Sequence, residues 1–348
     1  MPIAVPRRAA LLGAVAFAGP SLARPALAQS RTRIKLVMNW RWQGPQGMFF
    51  LAEDRGHFRE AGLDVQIDQG DGSGAAVGKV ASGAYDAGFG DINAAVTLAA
   101  QRPGENPLGA YMLYNRPPFC IAVRADGPIR NPRDLEGRTL GGPANDGALR
   151  LFPAFARLAG LDASRVTVTN MAPNLREQML NRGQVDGVFG FQNTIRFSAR
   201  LIGIDADTAY RWILFGDHGL DLYSNALIVS RGLVRDNPVA ARALVAAVNR
   251  GVRDMLADPA AANAAVMRRE PLLNAQVERA RLDATIRDEM THAEIGRIGL
   301  GDIVEARMER AIAILVEAQA LPRTPAVAEV FDRTLLPPLA ERPQRVAA

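Results

Sequence analysis

Leu63-Asp64-Val65-Gln66-Ile67-Asp68-Gln69-Gly70-Asp71-Gly72-Ser73-Gly74, residues 63–74, is the stretch whose reading decides the fold. Leu63, Val65 and Ile67 alternate with polar residues, the period of a half-buried strand. The glycines then break that strand, and a helix is expected to open near Ala75. Residues 85–90 read as the next strand, and Asp91-Ile92-Asn93 starts the next helix. Upstream, Ile34-Lys35-Leu36-Val37-Met38 reads as a strand that ends in Asn39-Trp40-Arg41-Trp42. Gly44-Pro45-Gln46-Gly47 leads into a helix over 48–55, which Gly56 stops. Strand and helix in alternation predict an α/β chain, with a parallel or mostly parallel sheet and helices on both faces.

The alternation restarts further on. The apolar run Phe119-Cys120-Ile121-Ala122-Val123 leads through the turn-rich Asn131-Pro132-Arg133-Asp134-Leu135-Glu136-Gly137-Arg138 to a strand at Thr139-Leu140-Gly141. Helices are expected over 149–158 and 175–181, and strands over 166–168, 185–189 and 226–229. Beyond them the chain reads as helical. Asn237 caps a helix with Pro238 in its first position, whose apolar residues recur at the 3.6 period up to Leu256. Further helices are expected over 275–287, capped by Asn274, and over 303–320; the tail from Pro337 reads as a loosely held extension. Two α/β units sharing a final run of helices predict two lobes, residues 29–121 with 224–348 and residues 122–223. The crossings are expected near 119–124 and 223–229.

Residues 1–28 read as an export signal rather than as fold. Arg7 and Arg8 precede a short apolar run, and Ala26-Leu27-Ala28 closes it, a secretory pattern too short to span a bilayer. The arginine pair is compatible with either the Sec or the twin-arginine route, and the protein is expected in the periplasm. Without those residues the formal charge of +5 falls to +2, because three Arg leave and no acid does. So small a charge argues against nucleic acid as a partner. The single cysteine, Cys120, sits in an apolar run and reads as a buried hydrophobe.

Four stretches, in order, resemble a family of periplasmic solute-binding proteins that includes sulfonate, nitrate and thiamine-pyrimidine binders. Asn39-Trp40 followed by Gly56-His57-Phe58-Arg59-Glu60-Ala61-Gly62-Leu63-Asp64-Val65 is similar to its opening. Ser82-Gly83-Ala84-Tyr85-Asp86-Ala87-Gly88 resembles the step before its ligand loop. Asp134-Leu135-Glu136-Gly137-Arg138 and Gly183-Gln184-Val185-Asp186-Gly187 resemble motifs of its second half. The resemblance implies a two-lobed Venus-flytrap of type II with a C-terminal helical run, a small-molecule solute in the cleft, and an ABC permease of the inner membrane as partner to a monomeric receptor. A thiamine-pyrimidine synthase shares the superfamily. The positions matching its lysine and histidine are Gly90 and Ala94 here, and residues 217–224 hold no cysteine, which weighs against that activity.

In such sheets ligands collect beyond the carboxyl ends of the strands. Trp40, directly after a strand and matching the family aromatic, is expected to wall the cleft for a flat aromatic or heterocyclic ligand. Gly72, Ser73 and Gly74 offer free N–H groups at a helix start. Asn39, Asp91, Asn93, Asn145, Asp146, Asn170, Gln192 and Asn193 are expected to supply orienting hydrogen bonds. Tyr114 and Arg116 precede a crossing, and Arg116 is a candidate partner for a carboxylate or sulfonate. No G-x-S-x-G, Walker A, H-E-x-x-H or C-x-x-C occurs, and His57, His218 and His292 have no ligand spacing. No catalytic residue, metal or cofactor is therefore expected.

Overall fold

The computed structural model describes residues 1–3 and 31–346. The leader expected at 1–28 lies, apart from its first three residues, outside them. Ten strands among the described residues form two five-stranded sheets. The first holds β1 (Thr32–Val37), β2 (Leu63–Asp68), β3 (Ala87–Asp91), β4 (Leu108–Met112) and β10 (Asn225–Val229), in the order β2-β1-β3-β10-β4. The second holds β5 (Phe119–Arg124), β6 (Thr139–Gly142), β7 (Thr167–Asn170), β8 (Gly187–Phe191) and β9 (Tyr210–Leu214), in the order β7-β6-β8-β5-β9.

Both sheets are mixed, which corrects the expectation of mostly parallel pairing. β1 runs parallel to β2 and β3, and β6 to β7 and β8. β10 is antiparallel to β3 and β4, and β5 to β8 and β9. The cause is the connection. A strand reached by crossing from the other sheet enters at the end where the parallel strands finish, so it runs against them. Residues 119–124, expected as a crossing, are β5 itself, and 225–229 are β10. The chain crosses just before each, at 113–118 and 215–224.

The two sheets repeat one local device. Asp86 accepts from the Lys35 N–H at 2.8 Å, and Asp186 accepts from the Thr139 N–H at 2.8 Å. Each aspartate also donates its own N–H to the carbonyl of that same residue. The small-residue steps singled out in the sequence thus fasten the strand that follows them to its neighbour.

The helices that matter to the cleft are α1 (Gly47–Asp54), α2 (Ser73–Ala81), α3 (Ile92–Gln101), α4 (Gly147–Ala159), α5 (Arg176–Asn181), α6 (Gln192–Leu201), α7 (Pro238–Ala257), α8 (Ala275–Thr285) and α9 (Glu305–Ala318). α7 starts as read: the Asn237 side chain accepts from the Ala240 N–H, and Pro238 needs no partner for a missing N–H. Its stripe of Ala241, Leu244, Val245, Val248, Val252 and Met255 is fully buried, each large side chain contributing about 1.5–3 kcal/mol. α8 is capped by Asn274, which accepts from Gln276 and Val277. Cys120 is buried in β5 with its thiol donating to the Gly190 carbonyl at 3.4 Å, and burial pushes the thiol up out of the reactive range. The tail is better held than expected. Arg342 is buried and donates to the carbonyls of Pro337, Gly299 and Leu300, and the Leu300 N–H donates to Pro343. Among the described residues no helix is long and apolar enough to cross a membrane.

The crossings lie side by side. Tyr114 donates its N–H to Asn225 at 2.9 Å and accepts from Ser224 at 3.0 Å. One buried cluster then joins them to the C-terminal helices. Arg307 of α9 donates to Glu294 (3.0 Å), to the Asn115 carbonyl (2.8 Å) and to Asp221 (2.7 Å), with its guanidinium 4.2 Å from the centre of the Tyr223 ring. Asn115 and Tyr223 donate their side chains to the two oxygens of Glu294 at 2.9 Å each. Arg307 and Glu294, paired with each other, thus tie both crossings to the C-terminal helices.

Candidate functional site

The carboxyl ends of β1, β3, β6 and β8 face the same region, and the loops beyond them touch. A Cβ on Gly72, whose φ is +151°, would sit 2.3 Å from the Asn145 carbonyl oxygen, so only glycine lets these loops of the two sheets meet. A Cβ on Gly147 would meet the Ser73 hydroxyl at 2.8 Å. Beside this contact lies a narrow cavity of about 30 Å³, partly open to solvent, with room for only one or two water molecules between its walls. Asn39, Trp40, Gln43, Pro45, Gln46, Ser73 and Tyr114 line it from the first sheet and its loops, Asp146, Arg176, Phe191 and Thr194 from the second. Arg281, Thr285 and Glu289 come from the C-terminal helices.

Trp40 is half-buried, with the Arg176 guanidinium 6.0 Å from its ring centre; Trp42 packs edge-on against Phe50 of α1 instead, at 5.4 Å. Asn39 is held by the Gln46 amide, which donates to it at 2.8 Å. The Ser73 hydroxyl is buried and has no hydrogen-bond partner among the described residues. Asp146 caps α4 through one oxygen, accepting from Ala148 at 2.8 Å, while its other oxygen lies 3.9 Å from Arg176. Burial raises its carboxyl above the usual range, against the pull of the Arg176 charge.

Both cavity arginines have a glutamate of their own. Arg176 donates through Nε (3.0 Å) and Nη2 (2.7 Å) to Glu177, and Arg281 through Nε and Nη2 (3.1 Å each) to the two oxygens of Glu278. Each also donates to a main-chain carbonyl, Phe189 and Thr194 respectively. Glu289 follows α8 on a π-helical turn, Ile286–Met290, a wider turn of the kind found at functional sites. It is buried, and Asn193 of α6 donates to its Oε1 at 3.1 Å. Burial pushes its carboxyl up to about 8, although the Asn193 hydrogen bond lowers it; Asp288 adds to the rise and Arg281 opposes it.

Of the residues expected at the cleft, Asn39, Trp40, Ser73, Tyr114 and Asp146 line this cavity. Gly72 forms the contact between the two sheets' loops. Gly74, Asp91, Asn93 and Asn145 line a separate groove of about 620 Å³ between α2, α3 and α4. There Asp91 caps α3 and also accepts from the Asn93 side chain at 2.7 Å, with burial pushing its carboxyl up to about 7. Arg116 is exposed and does not line the cavity; only its main-chain N–H reaches the region, donating to the Glu289 carbonyl at 3.0 Å. Asn170 is exposed at the end of β7, Gln192 is half-buried and donates its N–H to Pro118, and Asn193 lies behind the wall on Glu289. Arg176, Phe191, Thr194, Arg281, Thr285 and Glu289 escaped the sequence reading. Arg281, Thr285 and Glu289 recur every four residues, a polar stripe on an otherwise ordinary helix, and that was the one available signal. Among the described residues no group of three metal-binding side chains occurs.

A family model described as NMT1/THI5 like matches residues 46–262. The riboflavin-binding protein RibY of Chloroflexus aurantiacus is 22% identical over 68% of this chain and 65% of its own length, a little under two thirds. A 4-amino-5-hydroxymethyl-2-methylpyrimidine phosphate synthase of Aspergillus parasiticus is 21% identical over 72% of this chain and 74% of its own. Among solved structures, the alkanesulfonate-binding protein SsuA of Xanthomonas axonopodis pv. citri, bound to MOPS, superposes with a TM-score of 0.67 over 88% of this chain and all of its own, at 16% identity. The chain thus has the two-lobed periplasmic-binding-protein fold, followed by its C-terminal helices.

Proposed function

Because the chain belongs to the NMT1/THI5-like family, we propose that it is an exported solute-binding receptor which delivers a small organic molecule to an ABC importer. The solute-binding role agrees with the fold and with the binding proteins among its relatives. The observation that carries the reading is the cavity itself. It draws residues from both sheets, one wall is the half-buried face of Trp40, and a buried serine hydroxyl there lacks a partner. Trp40 is the stacking wall, and Asn39, Ser73, Tyr114 and Asp146 orient the ligand. Each sheet with its helices acts as one lobe, so the division expected at residue 121 moves back to 113–118, before β5, and the swivel lies in the crossings at 113–118 and 215–224. Closure of one lobe on the other around the solute presents the loaded form to the permease.

The test is thermal. A panel of pyrimidines, aromatic acids, sulfonates and nitrate is screened for a shift in Tm, and a solute at a hundredfold its Kd adds about 2.7 kcal/mol. One class should shift the wild type and leave Trp40→Ala unmoved; no shift with any class removes the reading. A second reading, an enzyme making the thiamine pyrimidine, draws on the synthase relative. Gly90 and Ala94, where that enzyme is expected to carry lysine and histidine, oppose it. Product formed with added iron and pyridoxal phosphate would select it.

A further inference from the structure

The charged groups of the cavity are not distributed as an anion site requires. Two guanidinium groups, Arg176 and Arg281, and two carboxyls, Asp146 and Glu289, line the cavity, while Glu177 and Glu278 lie behind the lining, paired with the arginines. Both arginines are almost wholly shielded, with side chains 1% exposed, and their forks are closed on Glu177 and Glu278 at 2.7–3.1 Å. An entering sulfonate or carboxylate would compete with those glutamates for guanidinium charge that is already paired. The carboxyls left over are Asp146 and Glu289. Asp146 is occupied in capping α4 and lies beside Arg176. Glu289 differs: Asn193 satisfies its Oε1, and no hydrogen bond reaches Oε2 among the described residues although the residue lines the cavity.

We propose that Glu289 sets the specificity of this cavity, accepting an N–H from a planar solute that carries an amidine, amino-azine or other cationic nitrogen edge, and that organic anions are rejected. The proposal rests on the cavity being the solute site. With its ring against Trp40, such a solute brings a positive charge to Glu289, a lining carboxyl that forms no ion pair among the described residues. Glu289 is reluctant to ionise chiefly because it is buried; Asp288 on its own turn adds to this, and the Asn193 hydrogen bond and the already paired Arg281 only partly offset it. Tyr114 and Cys120, the other titratable groups held near it, are both kept neutral by burial. A ligand cation supplies the compensation that the protein does not.

The experiment uses four probes that share one ring: benzamidine, benzamide, benzoate and benzenesulfonate. Their Kd values are measured by calorimetry on the full-length wild type and on Glu289→Gln, with far-UV circular dichroism and Tm as checks on folding. Benzamidine should bind at least tenfold more tightly than benzoate or benzenesulfonate, and Glu289→Gln should erase that preference. Anion binding equal to or tighter than that of benzamidine, if lost in Trp40→Ala, overturns the assignment of Glu289 while leaving the cavity as the solute site. Absence of binding by all four overturns the assignment and the cavity together. The wild-type ranking needs no variant, so a Glu289→Gln chain that fails to fold does not rescue the proposal.

Discussion

Replacing Arg307 by Met removes one half of the ion pair that ties both crossings to the C-terminal helices. The lost bonds are those to Glu294, the Asn115 carbonyl and Asp221, at 2.7–3.0 Å. The Asp221 carboxylate is well exposed, so that bond is screened and contributes little. The Glu294 side chain is 5% exposed, and without the guanidinium its charge is left with only Asn115 and Tyr223 as donors. Removing one partner of a buried pair costs about 3–5 kcal/mol. The methionine stem still covers the Tyr223 ring, so the packing loss is small. For a chain of this length the cost corresponds to a fall of about 5–7 °C in Tm, read by calorimetry. Neutralising the stranded charge should recover part of it: the Arg307→Met, Glu294→Gln double substitution should lie at least about 1 kcal/mol above the sum of the single effects. A fall of less than about 1 °C in Arg307→Met, or strict additivity in the double variant, would show that the crossings are not held by this pair.

Glu289 and Asp91 give the empty protein a pH dependence of definite sign. Their carboxyls are raised by burial from their ordinary values to about 8 and about 7, so the folded state holds protons that the unfolded chain gives up. Their contribution is complete below about pH 4 and fades as pH rises through 7 and 8, each tenfold difference in proton affinity between the two states being worth about 1.4 kcal/mol. Tm should fall between pH 5 and 8.5, with Glu289→Gln flattening the fall; a Tm that rises over this interval contradicts the assignment. Gly72→Ala should strain its own loop, where φ is +151°, but leave both sheets folded, because the nearest atoms its Cβ meets belong to Asn145. It should nonetheless abolish the ligand-induced shift by keeping the loops of the two sheets apart, and an unchanged shift would mean that their contact plays no part in binding.

Much of the architecture was legible because it is written in local patterns. Asp86 and Asp186 sit in matching small-residue steps and do matching work; the Asn237 and Asn274 caps appear where the side chains announce them. β4 (Leu108–Met112) and β9 (Tyr210–Leu214) escaped. β4 is buried throughout and, unlike the equally buried β3 and β8, has no small-residue step with an aspartate before it to mark its start. Strand direction escaped because it depends on which sheet the chain has just left. At the cavity, residues next to a strand end in sequence, such as Asn39, Trp40, Ser73 and Asp146, could be found. Arg281, Thr285 and Glu289 could not, since only long-range packing brings a helix far along the chain to that place. Arg116 shows the opposite error: proximity in sequence to a crossing says nothing about which way a side chain leaves it.

The turn that carries Glu289 also fixes when the site can exist. The walls of the cavity are drawn from positions as far apart as Asn39 and Glu289. A chain emerging in order from the ribosome or an export channel completes all ten strands at Val229, yet it still lacks one side of the cavity and the arginine that ties the crossings. If the cavity is the solute site, as proposed, a product cut between β10 and α8 would keep every described strand and lack one wall of that site, so loading would have to wait for the C-terminal helices.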